Sequence, residues 1–105
     1  MGFFSFTKEI AVDLGTANTL IIHNDKIVIN EPSIVAIDTR TGNMIAVGHE
    51  AKMMQGREPD GIRTVRPLRK GVIADFKAAE LMIRGLIKKA GKKSSWFSPS
   101  LRMVV

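Results

Sequence analysis

The chain has 105 residues, 45% hydrophobic and 25% charged, the balance of one globular domain or a piece of one rather than of a disordered or fibrous protein. It has no Cys, which excludes disulfide frameworks, thiolate zinc sites and cysteine nucleophiles, and its two histidines, His23 and His49, stand in no metal-binding spacing. No apolar run is long enough to span a membrane and Met1–Phe6 lacks the basic region of a signal peptide, so the expected compartment is the cytoplasm.

Ile10, Val12 and Leu14 alternate with Ala11 and Asp13, the period of a half-buried strand. Gly15-Thr16-Ala17-Asn18 interrupts it, and Thr19–His23 resumes with β-branched residues. Asn24-Asp25 reads as a two-residue hairpin turn into Lys26–Asn30, and Pro32, which has no N–H to give a ladder, closes that strand. Ser33–Asp38 and Met44–Val47 flank the polar stretch 39–43 as a second hairpin, so the first half is expected to be an antiparallel meander. Glu50–Gln55 is a short helix candidate stopped by Gly56, with Met53-Met54 filling the core against the small sheet. Glu58-Pro59-Asp60-Gly61 suits a type I turn, followed by short strands at Ile62–Arg66 and Val72–Ala74.

The clearest element is a helix capped by Asp75. Phe76, Ala79, Met82, Ile83, Leu86, Ile87 and Ala90 form one apolar stripe at helical spacing, Lys88 and Lys89 suit the negative end of its dipole, and Gly91 is expected to stop it. A loop then leads to the apolar run Leu101–Val105. That run reads as a strand that starts without a partner, so the chain is expected to be an N-terminal fragment.

Asp13-Leu14-Gly15-Thr16-Ala17-Asn18 is the stretch with most chemistry in it. A strand ending in Asp, then Gly and small polar residues, lets backbone N–H groups converge on an anion. Gly15 removes the Cβ that would block approach, Thr16 and Asn18 add donors, and Asp13 is placed to hold a water on a phosphate-bound Mg²⁺. The same residues also suit a plain hairpin turn, and the Gly-Lys-Ser/Thr ending of a P-loop is missing.

The run Asp13–Leu20 resembles the first phosphate loop of the actin and Hsp70 ATPases. "DLGTANTL", "NEPSIVAI", "AVGHEAKMMQGR" and "IRTVRPLRKGVIADF", in that order, resemble the MreB family of bacterial actin homologues from Ile10 to Val105. The resemblance implies an α/β fold of the ribonuclease-H-like actin/Hsp70 type, here an incomplete N-terminal lobe of antiparallel meander plus one long helix. It divides the chain into an apolar N-terminal segment 1–8, a first part of subdomain IA at 9–32 and 64–105, and a small subdomain IB at 33–63. It implies ATP and Mg²⁺ as cofactors, with Gly15, Thr16, Ala17 and Asn18 at the phosphates and Asp13 near the metal. The second phosphate loop and the adenosine pocket would lie beyond Val105, so no catalytic residue is assigned. Expected partners are further copies in a filament, the inner face of the cell membrane and the cell-wall elongation machinery.

Two features outside that turn bear on partners. Phe3, Phe4 and Phe6 crowd the N-terminus, and Trp96-Phe97 lie beside Lys92-Lys93. Rings next to cations suit a membrane surface. For Trp96 and Phe97 the family implies such a role, whereas the three phenylalanines suit a membrane or a fold back on the sheet equally well. The net charge of +6 falls on the second half, since up to His49 acids outnumber bases. Arg63, Arg66, Arg69 and Lys70 would suit a small nucleic-acid-binding module, but no aromatic is interleaved with them, so nucleic acid is not expected as a partner. An Hsp70-like ATPase lobe is the other alternative.

Overall fold

A computed structural model describes residues 2–5 and 10–94, with only the backbone of 2–5 and 93–94 considered. The expectations for Phe6, Trp96, Phe97 and Leu101–Val105 lie outside the described residues. The strands are β1 (Gly2–Ser5), β2 (Ile10–Leu14), β3 (Asn18–His23), β4 (Lys26–Pro32), β5 (Val35–Asp38), β6 (Met44–Val47), β7 (Ile62–Val65), β8 (Leu68–Arg69) and β9 (Val72–Ile73). The helices are α1 (His49–Met54) and α2 (Phe76–Ser94). They make a four-stranded antiparallel meander in the order β1-β2-β3-β4, a three-stranded sheet β6-β5-β7, and the hairpin β8-β9.

The meander follows from alternation. Ile10, Val12 and Leu14 are buried and Ala11 and Asp13 are not fully so, which points one face of β2 at the core. Asn24 and Asp25 carry φ of 52° and 65° in the turn between β3 and β4. Two left-handed residues in succession give the turn a twist that matches its strands, and Asn and Asp tolerate that region without glycine. Between Ile21 and Ile22 the register shifts, with Ile21 opposite Ile29 and Ile22 opposite Ile27. The extra residue puts Ile29 into the core and leaves Ile27 60% exposed.

Helix α2 packs on β3 and β4 of the meander and on β5 and β6 of the small sheet, so one core spans both. Ala78, Ala79, Met82, Leu86, Ile87 and Ala90 are its buried stripe. Phe76 does not belong to it, contrary to the spacing, and is 76% exposed. At about 100° per residue it lies about 120° round the helix from Met82, and in the first turn it precedes the contact with the sheets. Nor does Gly91 stop the helix, which runs on to Ser94. Gly91 is not among the glycines with positive φ and is buried, so it is an interior residue tolerated at about 1 kcal/mol relative to Ala. The small sheet has α1 on its other side, where Ile34, Ala36 and Ala51 are buried together and Met54 packs against them. Met53 points away and is 66% exposed, so only half of the methionine pair fills that core.

The short helix lies one residue earlier than expected at both ends, from His49 to Met54, with Gln55 as its C-cap before Gly56, whose φ is 87°. The turn after it is shifted by one residue. Ile62 donates its N–H to the Pro59 carbonyl at 3.0 Å, with Gly61 at φ +84° inside the turn. At the N-terminus, Gly2–Ser5 is strand β1, paired to β2 with Phe3 opposite Asp13 and Phe4 opposite Val12. The backbone of that segment folds back on the sheet.

Candidate functional site

The turn between β2 and β3 is closed by the Gly15 N–H donating to the Asn18 carbonyl at 3.1 Å. Thr16, Ala17 and Asn18 are exposed at its tip. A Cβ on Gly15 would lie 2.6 Å from the Asn18 oxygen, so the tightness of this turn requires glycine. Beneath it, Asp13, next to last in β2, has Oδ1 buried and without a hydrogen-bond partner, the one such side-chain atom among the described residues. A buried carboxylate oxygen with nothing donating to it is unfavourable unless a cation, a proton or water completes it.

The turn is tied to three other parts of the chain. Asn18 Nδ2 donates to Asn30 Oδ1 of β4 at 3.0 Å. The Gly71 N–H, between β8 and β9, donates to Thr16 Oγ1 at 2.5 Å. That hydroxyl therefore accepts from the protein and keeps its own proton for a ligand. Ser33, after β4, donates its N–H to the Ala17 carbonyl at 2.9 Å and its hydroxyl to the Gly15 carbonyl at 2.7 Å. The structure thus holds Gly15, Thr16, Ala17 and Asn18 in one tight turn above Asp13, and adds Ser33 and Gly71, which lie within the family motifs but have no expected role at this turn. Alternation places Ile29 and Glu31 on the buried face of β4, but Ser33 lies in the bend after Pro32, where every residue from Glu31 to Ile37 is buried, so no periodicity marks it out.

A second polar cluster lies where β4, α1 and α2 meet. Glu31, only 5% exposed, accepts from Lys89 Nζ at 2.8 Å and from the His49 N–H at 3.1 Å through the same oxygen. Lys89 also reaches Glu50 Oε1 at 2.8 Å. The Lys89 hydrogen bond, more than any other influence, holds the Glu50 carboxyl below its ordinary value of 4.5. Partial burial pushes the Lys89 ammonium down, but its hydrogen bonds to Glu31 and Glu50 outweigh that and hold it above 10.5. Gly48, at φ +70°, packs on Glu31 so closely that a Cβ there would fall on Oε1. Adjacent His49 and Glu50 are exposed on the helix start, and no shared catalytic geometry joins them. Lys89, expected as a cation suited to the helix end, pairs with two carboxylates. Among the described residues no three His, Cys, Asp or Glu converge as a metal cluster, and no helix is long and apolar enough to cross a membrane.

The sequence and the coordinates have named counterparts. A family model described as MreB/Mbl protein matches residues 7–105. The chain is 50% identical over 97 residues to the cell shape-determining protein Mbl of Bacillus cereus, covering 91% of this chain and 29% of that one. It is 47% identical over 105 residues to the cell shape-determining protein MreB of Escherichia coli, covering 95% of this chain and 30% of that one. The structure resembles MreB5 of Spiroplasma citri bound to ADP, with TM-score 0.67 and 39% identity over 77% of this chain and 25% of that one. The same protein bound to AMPPNP gives TM-score 0.66, covering 83% of this chain and 25% of that one. The chain thus spans under a third of the length of the curated relatives it matches.

Proposed function

The chain belongs to the MreB/Mbl family, and from that premise we propose that it is part of an actin-like, ATP-binding cell-shape protein whose first phosphate turn is Asp13–Asn18. The observation that carries the nucleotide reading is the orphaned Asp13 Oδ1 beneath a turn that only glycine permits. Both fit the implied group. A carboxylate oxygen that is buried yet unpartnered suits a hydrated divalent cation, and a turn free of Cβ lets phosphate oxygens approach backbone N–H groups. The Thr16 and Asn18 N–H groups and the Thr16 hydroxyl would face the phosphates, and Asp13 would hold Mg²⁺ through water. When bound, Mg²⁺ neutralises phosphate charge. The nucleotide-bound state of the Spiroplasma relative supports this reading.

Three further parts of the proposal extend to the whole protein. It assembles into filaments, with the small unit 33–63 making contacts along them and 9–32 with 64–105 forming the lobe beside the nucleotide. It lies at the inner face of the cell membrane, through Trp96 and Phe97 and with help from the N-terminal Phe3, Phe4 and Phe6. It guides the cell-wall elongation machinery. The test of the nucleotide reading is Asp13→Ala in the full-length protein. Mg·ATP-dependent assembly, followed by sedimentation, is expected to fall at least about tenfold, the scale of losing one charge-assisted contact. Assembly equal to that of the parent would refute the role of Asp13.

A further inference from the structure

Ser33 is fully buried where β4 ends and the path to β5 begins. With its N–H on the Ala17 carbonyl and its hydroxyl on the Gly15 carbonyl, it takes the carbonyls on both sides of Thr16. A trans peptide is planar, with C=O and N–H pointing in opposite directions. Drawing the Gly15 and Ala17 oxygens toward buried Ser33 therefore turns the N–H groups of Thr16 and Asn18 the other way. That way is the side of the turn away from buried Ser33, and Thr16 and Asn18 are themselves exposed residues.

The protons on the hydroxyls can be assigned. A carbonyl only accepts, so the Ser33 proton lies on the Gly15 oxygen. In the 2.8 Å contact between Ser33 Oγ and Thr19 Oγ1, Thr19 is then the donor. Thr19 is fully buried, and its other acceptor is Met82 Sδ of α2 at 4.0 Å, a weaker one. The order Thr19 to Ser33 to Gly15 leaves one orientation for the Ser33 hydroxyl.

We propose that Ser33 is a positioning residue for phosphate binding: it aims the Thr16 and Asn18 N–H groups through their own peptide planes, with Thr19 orienting its hydroxyl. This deepens the nucleotide reading above and rests on it. Ser33 also begins the segment into β5, so the small sheet and the phosphate turn are fastened at the same residue.

The test compares ATP with AMP, which lacks the β- and γ-phosphates, in calorimetric or fluorescence titrations of the full-length protein with Mg²⁺. Ser33→Ala removes the hydroxyl and leaves the backbone bond to Ala17. It is expected to weaken ATP binding about tenfold while AMP binding stays within about twofold, a loss on the scale of one hydrogen bond. Thr19→Val, of nearly the same shape, is expected to weaken ATP about threefold with AMP unchanged. Equal losses for both nucleotides in a folded Ser33→Ala protein, or no loss for either, would overturn the proposal. If Ser33→Ala fails to fold, Thr19→Val decides, and an unchanged ATP-to-AMP ratio there overturns it. A parent protein that binds no Mg·ATP would overturn the nucleotide reading itself, and that result is separate from any behaviour of the variants.

Discussion

Lys89→Met strands a buried anion. In the parent, the Glu31 side chain is 6% exposed and its Oε1 is 2.8 Å from Lys89 Nζ. The thioether keeps the length of the stem but removes the ammonium, leaving the His49 N–H as the remaining donor to that oxygen. Breaking a buried ion pair by deleting one partner costs about 3–5 kcal/mol. The lower end applies here, because the Lys89 side chain is 27% exposed and water reaches that side of the pair. A domain of this length is stable by about 5–15 kcal/mol, so a loss of about 3 kcal/mol is a large part of the whole. Urea unfolding followed by circular dichroism is expected to show a lower midpoint with an unchanged slope. Glu31→Met with Lys89→Met should recover most of the loss, since apolar groups can replace a buried pair. Glu50→Gln should cost at most about 1 kcal/mol, because that carboxylate is an exposed partner. A deficit under about 1 kcal/mol for Lys89→Met at pH 7, or a double variant no more stable than Lys89→Met alone, would refute the reasoning.

The same cluster sets a pH window. Glu50 is held below 4.5, so its contribution is present above that value and is lost as pH falls through its lower folded value. Lys89 is held above 10.5, so its contribution is present below that value and is lost as pH rises through its folded value. A pH series of urea midpoints should lose the alkaline fall in Lys89→Met. Asp75→Ala removes the acceptor of the Ala78 N–H at 3.0 Å and should lower stability by about 1 kcal/mol, read as a fall in the urea midpoint. Trp96→Ser with Phe97→Ser in the full-length protein should weaken co-sedimentation with anionic liposomes while sparing assembly without lipid, and a double variant that still sediments like the parent would refute the membrane reading. Interfacial insertion of two rings realises only part of about 1.5–3 kcal/mol each, so filament avidity has to supply the rest.

What the sequence made legible is what short-range rules decide. The alternation in Ile10–Leu14 gave β2, Asn24-Asp25 gave the turn after β3, Asp75 gave the helix start, and Gly15 gave the tight turn between β2 and β3. What stayed hidden depends on partners far along the chain. Glu31 sits on the buried face of β4 by parity, but its burial is tolerable only because Lys89, 58 residues on, reaches it. Because α2 runs on to Ser94, Lys89 is not in its last turn, and its place is set by Glu31 and Glu50 rather than by the helix dipole. Phe76 fits a helical stripe read by spacing alone, and only the place where α2 meets the sheets excludes it. Gly91 shows the limit of a stop signal: glycine ends a helix when the chain needs a left-handed residue, and here it does not.

The end of β4 concentrates these long-range ties in four consecutive residues. Asn30 accepts from Asn18 on the turn between β2 and β3, Glu31 binds Lys89 of α2 and the N–H that opens α1, and Ser33 holds the carbonyls of Gly15 and Ala17. Pro32 between them is buried and has no N–H to satisfy, which suits a position where the chain leaves one sheet for another. Glu31 and Ser33 are both buried, and α2 reaches both groups, Glu31 through Lys89 and Ser33 by way of Thr19 and Met82. A shift of α2 along its axis would therefore strain the Glu31 ion pair and the Thr19–Ser33 contact together. A change in the direction of the Thr16 and Asn18 N–H groups would be felt at Ser33 and, through its backbone, at β5. The short segment 30–33 is the mechanical joint between the turn that the nucleotide reading assigns to phosphate and the small sheet, and its stiffness comes from hydrogen bonds rather than from apolar packing.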